Sequence, residues 1–219
     1  MELFVNTFIF NNKKENSHVL WNEAGDCVLV DPGCTTPREQ EALTAFLSRN
    51  NLRPRALLLT HGHFDHVAGV PFLTRKYSCE CWMHSADEKE LRLSRALAPL
   101  YGFEAVEEFR VDHYFDDGSE LSFRGIHQKV IHFPGHTDGS VCLYVPDGPY
   151  LFAGDALVKG SLGFVNSSYA EVLGYIGKKI WSLPDETIIF YGHGPSSRLD
   201  KEKQTNPFFR RVNQEKHNP

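Results

Sequence analysis

Apolar residues come in short runs along this chain, and their period changes from run to run. Leu3 to Phe10 and Val19 to Trp21 carry the β-branched and aromatic residues of strands. Cys27 to Val30 is a short apolar run of the same kind, stopped by Asp31-Pro32-Gly33. Thr36-Pro37-Arg38-Glu39 has the make-up of a capping box with proline at the first helical position. The helix it predicts sets Ala42, Leu43, Phe46 and Leu47 on one side and ends at Asn50-Asn51. Ala56 to Leu59 is apolar without interruption, as a strand buried on both faces would be. Ser85 to Glu88 and Ser168 to Glu171 repeat the capping-box pattern. The first predicts a helix stopped near Pro99, and the second a helix with Val172, Ile176 and Ile180 at a spacing of four. Strands are predicted between them at Leu121 to Phe123, Lys129 to Phe133, Val141 to Val145 and Tyr150 to Phe152. A last strand, Thr187 to Tyr191, runs into Gly192-His193-Gly194-Pro195.

Two β-rich halves, each with strands followed by helices, suggest two sheets packed face to face with helices outside. The pattern is α/β or α+β and leaves the strand order open. A length of 219 residues suits a single domain over 1–219, with a polar tail from about residue 213 expected to fray. Apolar residues make up 41 % and charged residues 23 %, which places the chain among soluble globular proteins. The net charge is −5 and no basic tract is dense enough to track a phosphate backbone, which argues against nucleic acid as a partner. No run approaches the ~18 apolar residues of a membrane helix. The opening Met1-Glu2-Leu3-Phe4-Val5 lacks the basic region of a signal peptide. Five cysteines, odd in number and unevenly spaced, are not a disulfide framework and imply reduced thiols in a cytoplasmic protein. Cys79-x-Cys81 puts two thiols on one face of a strand, short of the four ligands of a structural zinc site.

The chemistry concentrates in Thr60-His61-Gly62-His63-Phe64-Asp65-His66, directly after the buried strand. Alternate residues of an extended chain point the same way, so His61 and His63 can converge on one metal ion. Asp65 and His66 follow once the chain turns, and can face a second ion. No fold needs that density of imidazoles for packing, because each would have to be satisfied separately. Three later stretches share one design of apolar strand, glycine, then a ligand-type residue: Phe133-Pro134-Gly135-His136, Phe152-Ala153-Gly154-Asp155 and Tyr191-Gly192-His193. Glycine before the ligand permits a sharp turn and close approach. Four strand ends presenting His or Asp would ring one cleft.

His61-x-His63-x-Asp65-His66, followed by His136, Asp155 and His193, resembles the ligand set of the metallo-β-lactamase superfamily in order and context. Within it, Phe133-Pro134-Gly135-His136-Thr137-Asp138-Gly139-Ser140, Leu151-Phe152-Ala153-Gly154-Asp155, and Gly192-His193-Gly194-Pro195 with Glu202-Lys203-x-x-Asn206-Pro207-Phe208 are similar to the short glyoxalase II-like (hydroxyacylglutathione hydrolase-like) hydrolases. The resemblance covers nearly the whole chain. It implies an α+β fold, an αββα sandwich of two facing mixed sheets, with the metal cleft along one edge. It also implies that His61, His63 and His136 hold one ion, that Asp65, His66 and His193 hold the other, and that Asp155 bridges them. Two transition-metal ions are expected, zinc first, with iron and manganese also suited to these ligands. Asp31 matches a superfamily aspartate that steadies the ligand loop. The implied reaction is hydrolysis of a small acyl thioester by a hydroxide held between the ions, with Asp65 the catalytic residue that orients the nucleophile and carries a proton to the leaving group.

Two departures bear on the substrate. Full-length glyoxalase II enzymes carry a C-terminal helical domain, and this chain ends about where that domain would begin. Residues 160–168 differ from the Arg-Thr-Asp segment usual in the short group, having Phe164-Val165-Asn166 instead; the change is expected to affect substrate binding and not the metals. Lys159, Arg198 and Lys201 are the candidates to meet an anionic small-molecule substrate in place of the missing arginine. The oligomeric state is left open. The alternatives are a persulfide dioxygenase-like enzyme with one iron on His61, His136 and Asp155, and a metal-binding scaffold without catalysis. A true β-lactamase fits less well, because those enzymes generally lack an aspartate at the bridging position.

Overall fold

The computed structural model describes residues 2–104 and 106–217. Two six-stranded sheets face each other. The first holds β1 (Leu3–Phe10), β2 (Glu15–Asn22), β3 (Asp26–Val30), β4 (Arg53–Leu58), β5 (Glu80–His84) and β6 (His113–Phe115), in that order across the sheet. The second holds β7 (Glu120–Phe123), β8 (Ile126–His132), β9 (Val141–Val145) and β10 (Tyr150–Gly154). After a two-stranded hairpin of β11 (Leu157–Val158) and β12 (Ser161–Leu162), it is completed by β13 (Ile188–Tyr191) and β14 (Ser197–Arg198), in the order β14-β13-β10-β9-β8-β7. Both sheets are mixed. In the first, β1 to β3 are antiparallel and β3 to β6 parallel; in the second, β10 and β13 are the parallel pair. Parallel neighbours need a crossover, and the helices supply it: α1 (Pro37–Arg49), α2 (Phe64–Val67), α3 (Val70–Tyr77) and α4 (Glu88–Leu97) for the first sheet, α5 (Tyr169–Tyr175) for the second. Helices α6 (Leu199–Thr205) and α7 (Pro207–His217) follow the last strand.

The unbroken apolar run of β4 is explained by two separate cores. Ala56 and Leu58 join Leu20, Val28, Val30, Val141, Leu143 and Phe152 in the layer between the sheets. Leu57 and Leu59 point the other way, into the layer under α1 and α3 with Leu43, Leu47 and Val70. A third core lies between the second sheet and α5 and α7, around Val172, Ile176, Ile180 and Phe209. Each fully buried leucine or phenylalanine contributes about 1.5–3 kcal/mol. These cores hold the strand ends that carry the ligand-type residues, and the α/β/β/α layering is the sandwich expected from the resemblance.

The Thr36 box forms as predicted: Glu39 N donates to Thr36 Oγ1 at 3.3 Å, and Thr36 N to Glu39 Oε2 at 3.0 Å. The other two boxes are corrected. Residues Ser85–Asp87 form a 3-10 turn capped by His84 Nδ1, which accepts from Ala86 N at 3.2 Å; α4 starts after it, at Glu88. Ser168 precedes α5 but makes no side-chain cap; its backbone carbonyl takes the Glu171 and Val172 N–H groups. Ala42 is exposed, because only Leu43 and Leu47 of α1 turn fully inward. Helix α7 reaches His217 and packs Phe209 and Val212 on the third core. Strand β6 has no counterpart in the sequence reading, being three residues long with only Phe115 buried. Among the described residues no helix is long and apolar enough to cross a membrane.

Candidate metal centre

Five strand ends meet at one edge of the sandwich. Asp31 follows β3, His61 to His66 follow β4, His136 follows β8, Asp155 follows β10 and His193 follows β13. The side chains form two groups that share Asp155. His63 Nδ1 lies 3.1 Å from His61 Nε2 and 3.0 Å from His136 Nε2, and His136 Nε2 is 3.7 Å from Asp155 Oδ2. In the other group His193 Nε2 is 3.4 Å from Asp65 Oδ2, and His66 Nε2 is 3.9 Å from the same oxygen. Asp155 turns Oδ1 to His66 at 3.6 Å and Oδ2 to His193 at 3.5 Å. One carboxylate thus faces rings of both groups.

The outer nitrogens decide what the inner ones can do. His136 Nδ1 donates to the Phe164 carbonyl at 3.0 Å, and His193 Nδ1 to the Lys13 carbonyl at 3.1 Å. His66 Nδ1 donates to Asp31 Oδ2 at 3.1 Å, and His63 Nε2 lies 3.3 Å from Glu90 Oε1. The Thr60 hydroxyl donates to Asp31 Oδ2 at 2.6 Å, so its oxygen is left to accept from His61 Nδ1 at 3.0 Å. Each ring turns one nitrogen to an outward acceptor, and its other nitrogen faces inward, where it can offer a lone pair to a metal ion. Three such nitrogens, each of the outer two within 3.1 Å of His63 Nδ1, are placed to take a cation between them. On the other side His66 Nε2 and Asp155 Oδ1 are buried without any hydrogen-bond partner. The donor set, imidazole nitrogen and carboxylate oxygen, suits a first-row transition metal.

The electrostatics agree. Burial lowers the His61 and His63 pKa values, and repulsion among the neighbouring rings adds to it, bringing His63 to about 4. Both are therefore neutral, the form that ligates. Burial raises the Asp65 and Asp155 pKa values, but His66 and His193 outweigh it and hold both carboxyls below their ordinary range. Burial would lower His66, but Asp155 and Asp65 overcome it and raise its pKa well above the usual value. The carboxylates on that side attract positive charge.

Asp31 sits in the left-handed region at φ 48°. A non-glycine residue there costs about 1–3 kcal/mol, and the site offsets it: the carboxylate accepts from Thr60 N, Thr60 Oγ1 and His66 Nδ1, tying β3 to the ligand loop. Asn11 and Asn16 were not singled out by sequence reasoning. Asn11 Nδ2 donates to the Asp65 and Gly33 carbonyls, both at 3.0 Å. Asn16 Nδ2 donates to the Tyr191 and Gly194 carbonyls on either side of His193. Their only signal is a pair of asparagines about a hairpin connection, Asn11 in the turn and Asn16 one residue into β2. The 160–168 loop requires a correction: Phe164 supplies the carbonyl that orients His136, and Asn166 Nδ2 donates to the His136 carbonyl at 2.7 Å. The altered segment therefore shapes the ligand set as well as bearing on substrate. Lys159, Arg198 and Lys201 come together in a separate surface depression with Ser196 and Glu202. Lys159 Nζ donates to the Ser196 carbonyl and Arg198 pairs with Asp200 at 3.1 Å; none of the three contacts the histidine cluster in the hydrogen bonds and ion pairs of the described residues.

Facing mixed sheets with a His/Asp cluster at their shared edge define a two-sheet sandwich with a candidate metal centre. The family model of the metallo-β-lactamase superfamily matches residues 12–193, and the chain belongs to that superfamily of metal-dependent hydrolases. It is 31 % identical over 202 residues to hydroxyacylglutathione hydrolase GloC of Haemophilus influenzae, covering 89 % of this chain and 92 % of that one. Among solved structures it is similar to BLEG-1 B3 metallo-β-lactamase, with a TM-score of 0.85 and 31 % identity over 94 % of this chain and 99 % of that one. It is also similar to TTHA1623 in a di-iron-bound form, with a TM-score of 0.78 and 32 % identity over the same shares.

Proposed function

We propose that this chain is a dinuclear-metal hydrolase of small acyl thioesters, glyoxalase II-like, with S-lactoylglutathione the first substrate to try. The observation that carries the reading is the inward-facing set of ring nitrogens of His61, His63, His66, His136 and His193, with Asp155 between the two groups. Identity to a hydroxyacylglutathione hydrolase along nearly its whole length supports the substrate class. His61, His63 and His136 would hold one ion, Asp65, His66 and His193 the other, and Asp155 both. Bound there, two dications supply the Lewis acidity and the activated water that hydrolysis requires. Asp65, held ionised beside His193, orients the attacking water and passes its proton to the departing thiolate. Asp31 fixes the His66 ring. Lys159, Arg198 and Lys201 would hold an anionic end of the substrate in their depression. Zinc is the first candidate metal; iron is the second, by likeness to the di-iron form of TTHA1623. Five buried free cysteines support a reducing, cytoplasmic setting.

A second reading, β-lactam hydrolysis, is favoured by the likeness to BLEG-1 B3 metallo-β-lactamase. One experiment separates the readings. Protein purified without chelator is analysed for metal, then assayed on thioesters, lactones, β-lactams and persulfides. Close to two ions per chain and the highest kcat/KM on a thioester are expected, with a high KM for S-lactoylglutathione. Turnover of a β-lactam, lactone or persulfide far above every thioester would overturn the thioesterase reading; a single iron per chain would replace it with the dioxygenase.

A further inference from the structure

One face of α4, together with Asp87 just before it, grips the loop that carries His61 and His63. Asp87, Glu90, Leu91 and Ser94 recur at the spacing of a single helical stripe. Asp87 Oδ2 accepts from Gly62 N at 2.7 Å, Glu90 Oε1 meets His63 Nε2, and Ser94 Oγ accepts from Phe64 N at 2.7 Å. Between them Leu91 N stands only 2.8 Å from where a Cβ on Gly62 would be, so helix and loop touch main chain to main chain. Asp87 also reaches the second sheet. Its Oδ2 accepts from Thr137 Oγ1 at 2.9 Å and its Oδ1 from Gly139 N at 2.6 Å. The side chain is completely buried, and the hydrogen bonds it makes go to the two loops and to no ligand ring. On the other half of the centre, Asp31 holds His66 through a separate set of hydrogen bonds.

We propose that Asp87 is a positioning residue that sets the width of the three-histidine site, by clamping the 61–64 loop to the 136–139 loop, and that it serves that ion and not its neighbour. The proposal rests on the dinuclear-metal reading above. His61 and His63 follow a strand of the first sheet, His136 a strand of the second. Metal–ligand lengths tolerate only about 0.2 Å, a finer setting than packing between two sheets provides. A buried carboxylate with three donors resists sliding, because any movement leaves a donor unsatisfied. Asparagine at this position would keep one oxygen for Gly62 and Thr137 and turn its amide nitrogen against the Gly139 N–H. Alanine would strand the Gly62 and Gly139 N–H groups and leave Thr137 Oγ1 only its Ser140 Oγ partner at 2.7 Å.

The test compares Asp87→Asn and Asp87→Ala with Asp31→Asn in the full chain loaded with cobalt(II). Two quantities are read: the affinity of each ion by titration, and the hyperfine-shifted exchangeable imidazole N–H protons by NMR. Wild type should show two ions and a shifted N–H from each of the five rings, since each keeps a proton on its outer nitrogen. Asp87→Asn should weaken one ion by roughly 10–100-fold and lose the signals of His61, His63 and His136 first, leaving those of His66 and His193. Asp31→Asn should reverse that order. Asp87→Ala should be at least as severe; if its circular dichroism shows it unfolded, Asp87→Asn carries the test. Wild-type affinities with all five signals in Asp87→Asn would overturn the proposal. So would simultaneous loss of both ions, or failure of both Asp87 variants to fold, since Asp87 would then serve the whole fold. A wild-type chain that takes up no cobalt would instead overturn the metal reading itself.

Discussion

Replacing Gly192 by alanine adds one methyl group where the centre has no room for it. The new Cβ would stand 2.1 Å from Asp155 Oδ1 and 2.6 Å from His66 Cε1. Gly192 is not among the positive-φ glycines, so alanine fits its backbone without strain. The main chain cannot retreat freely, because Gly192 N donates to the Gly154 carbonyl and Asn16 N to the Gly192 carbonyl, both at 2.8 Å. The ligands must yield instead. To reach an ordinary contact of 3.4 Å from 2.1 Å, Asp155 Oδ1 must move about 1.3 Å, against a metal–ligand tolerance of about 0.2 Å. A displacement near 1 Å costs about 100-fold in rate, and here it strikes the carboxylate shared by both ions. Gly192→Ala should therefore fold, hold fewer than two ions by elemental analysis, and lose at least about 100-fold in kcat/KM on a thioester. Gly118→Ala is the matched control: its φ of +80° strains an alanine by about 1–2 kcal/mol, yet no atom lies within 4 Å of the new Cβ, so it should melt earlier with activity intact. Two ions and activity within tenfold of wild type in Gly192→Ala would show that the centre absorbs a shift of that size, and the steric reasoning would fail.

Asp65→Ala should abolish hydrolysis while circular dichroism stays native, since its carboxylate faces both His193 and His66; activity within tenfold at unchanged metal content would remove Asp65 from its role. Burial raises the Asp26 pKa, but Arg55 and Arg53 outweigh it and hold the carboxyl low. That contribution is present above the unfolded carboxylate pKa of about 4 and is lost as pH falls through the lower folded value. Asp26→Asn should accordingly cost about 1 kcal/mol at pH 7, a melting shift of about 2–4 °C that closes below about pH 4; a gap independent of pH would refute the ion-pair account. All five cysteines are buried, and burial pushes their thiols up, Cys79 to about 11 and Cys34 and Cys142 to about 12. A thiol reagent should label none in the native protein and all in denaturant; fast labelling of a native thiol would contradict the packing.

The site was legible where ligand chemistry is dense and local. His61, His63, Asp65 and His66 lie within six residues, and Ala56 to Leu59 before them announces its own burial on both faces. His136, Asp155 and His193 were legible because each follows an apolar run and a glycine. What stayed hidden acts through the backbone. Asp87 binds Gly62 N and Gly139 N, which carry no sequence signature, and in the sequence it reads as one more acid at a helix start. That commitment also helps explain the failure of the Ser85 box: the chain there is shaped to reach two distant loops. Ser168 misled for a different reason, since its backbone carbonyl already closes the first turn. Phe164 resembled a substrate-loop change because only its carbonyl, common to every residue type, faces His136.

The placement of the ligands has a consequence for how the two sheets are joined. With the ligands divided as proposed, each ion draws side chains from both: His61 and His63 with His136, and Asp65 and His66 with His193. Neither sheet alone offers a complete coordination shell. Ions held that way would act as rivets driven through a seam, and free metal in solution would favour the closed sandwich over any state in which the halves have parted. A chain of this design would sense its own assembly: only the correctly docked pair of sheets would gain the capacity to react, and a half-folded molecule would be chemically silent.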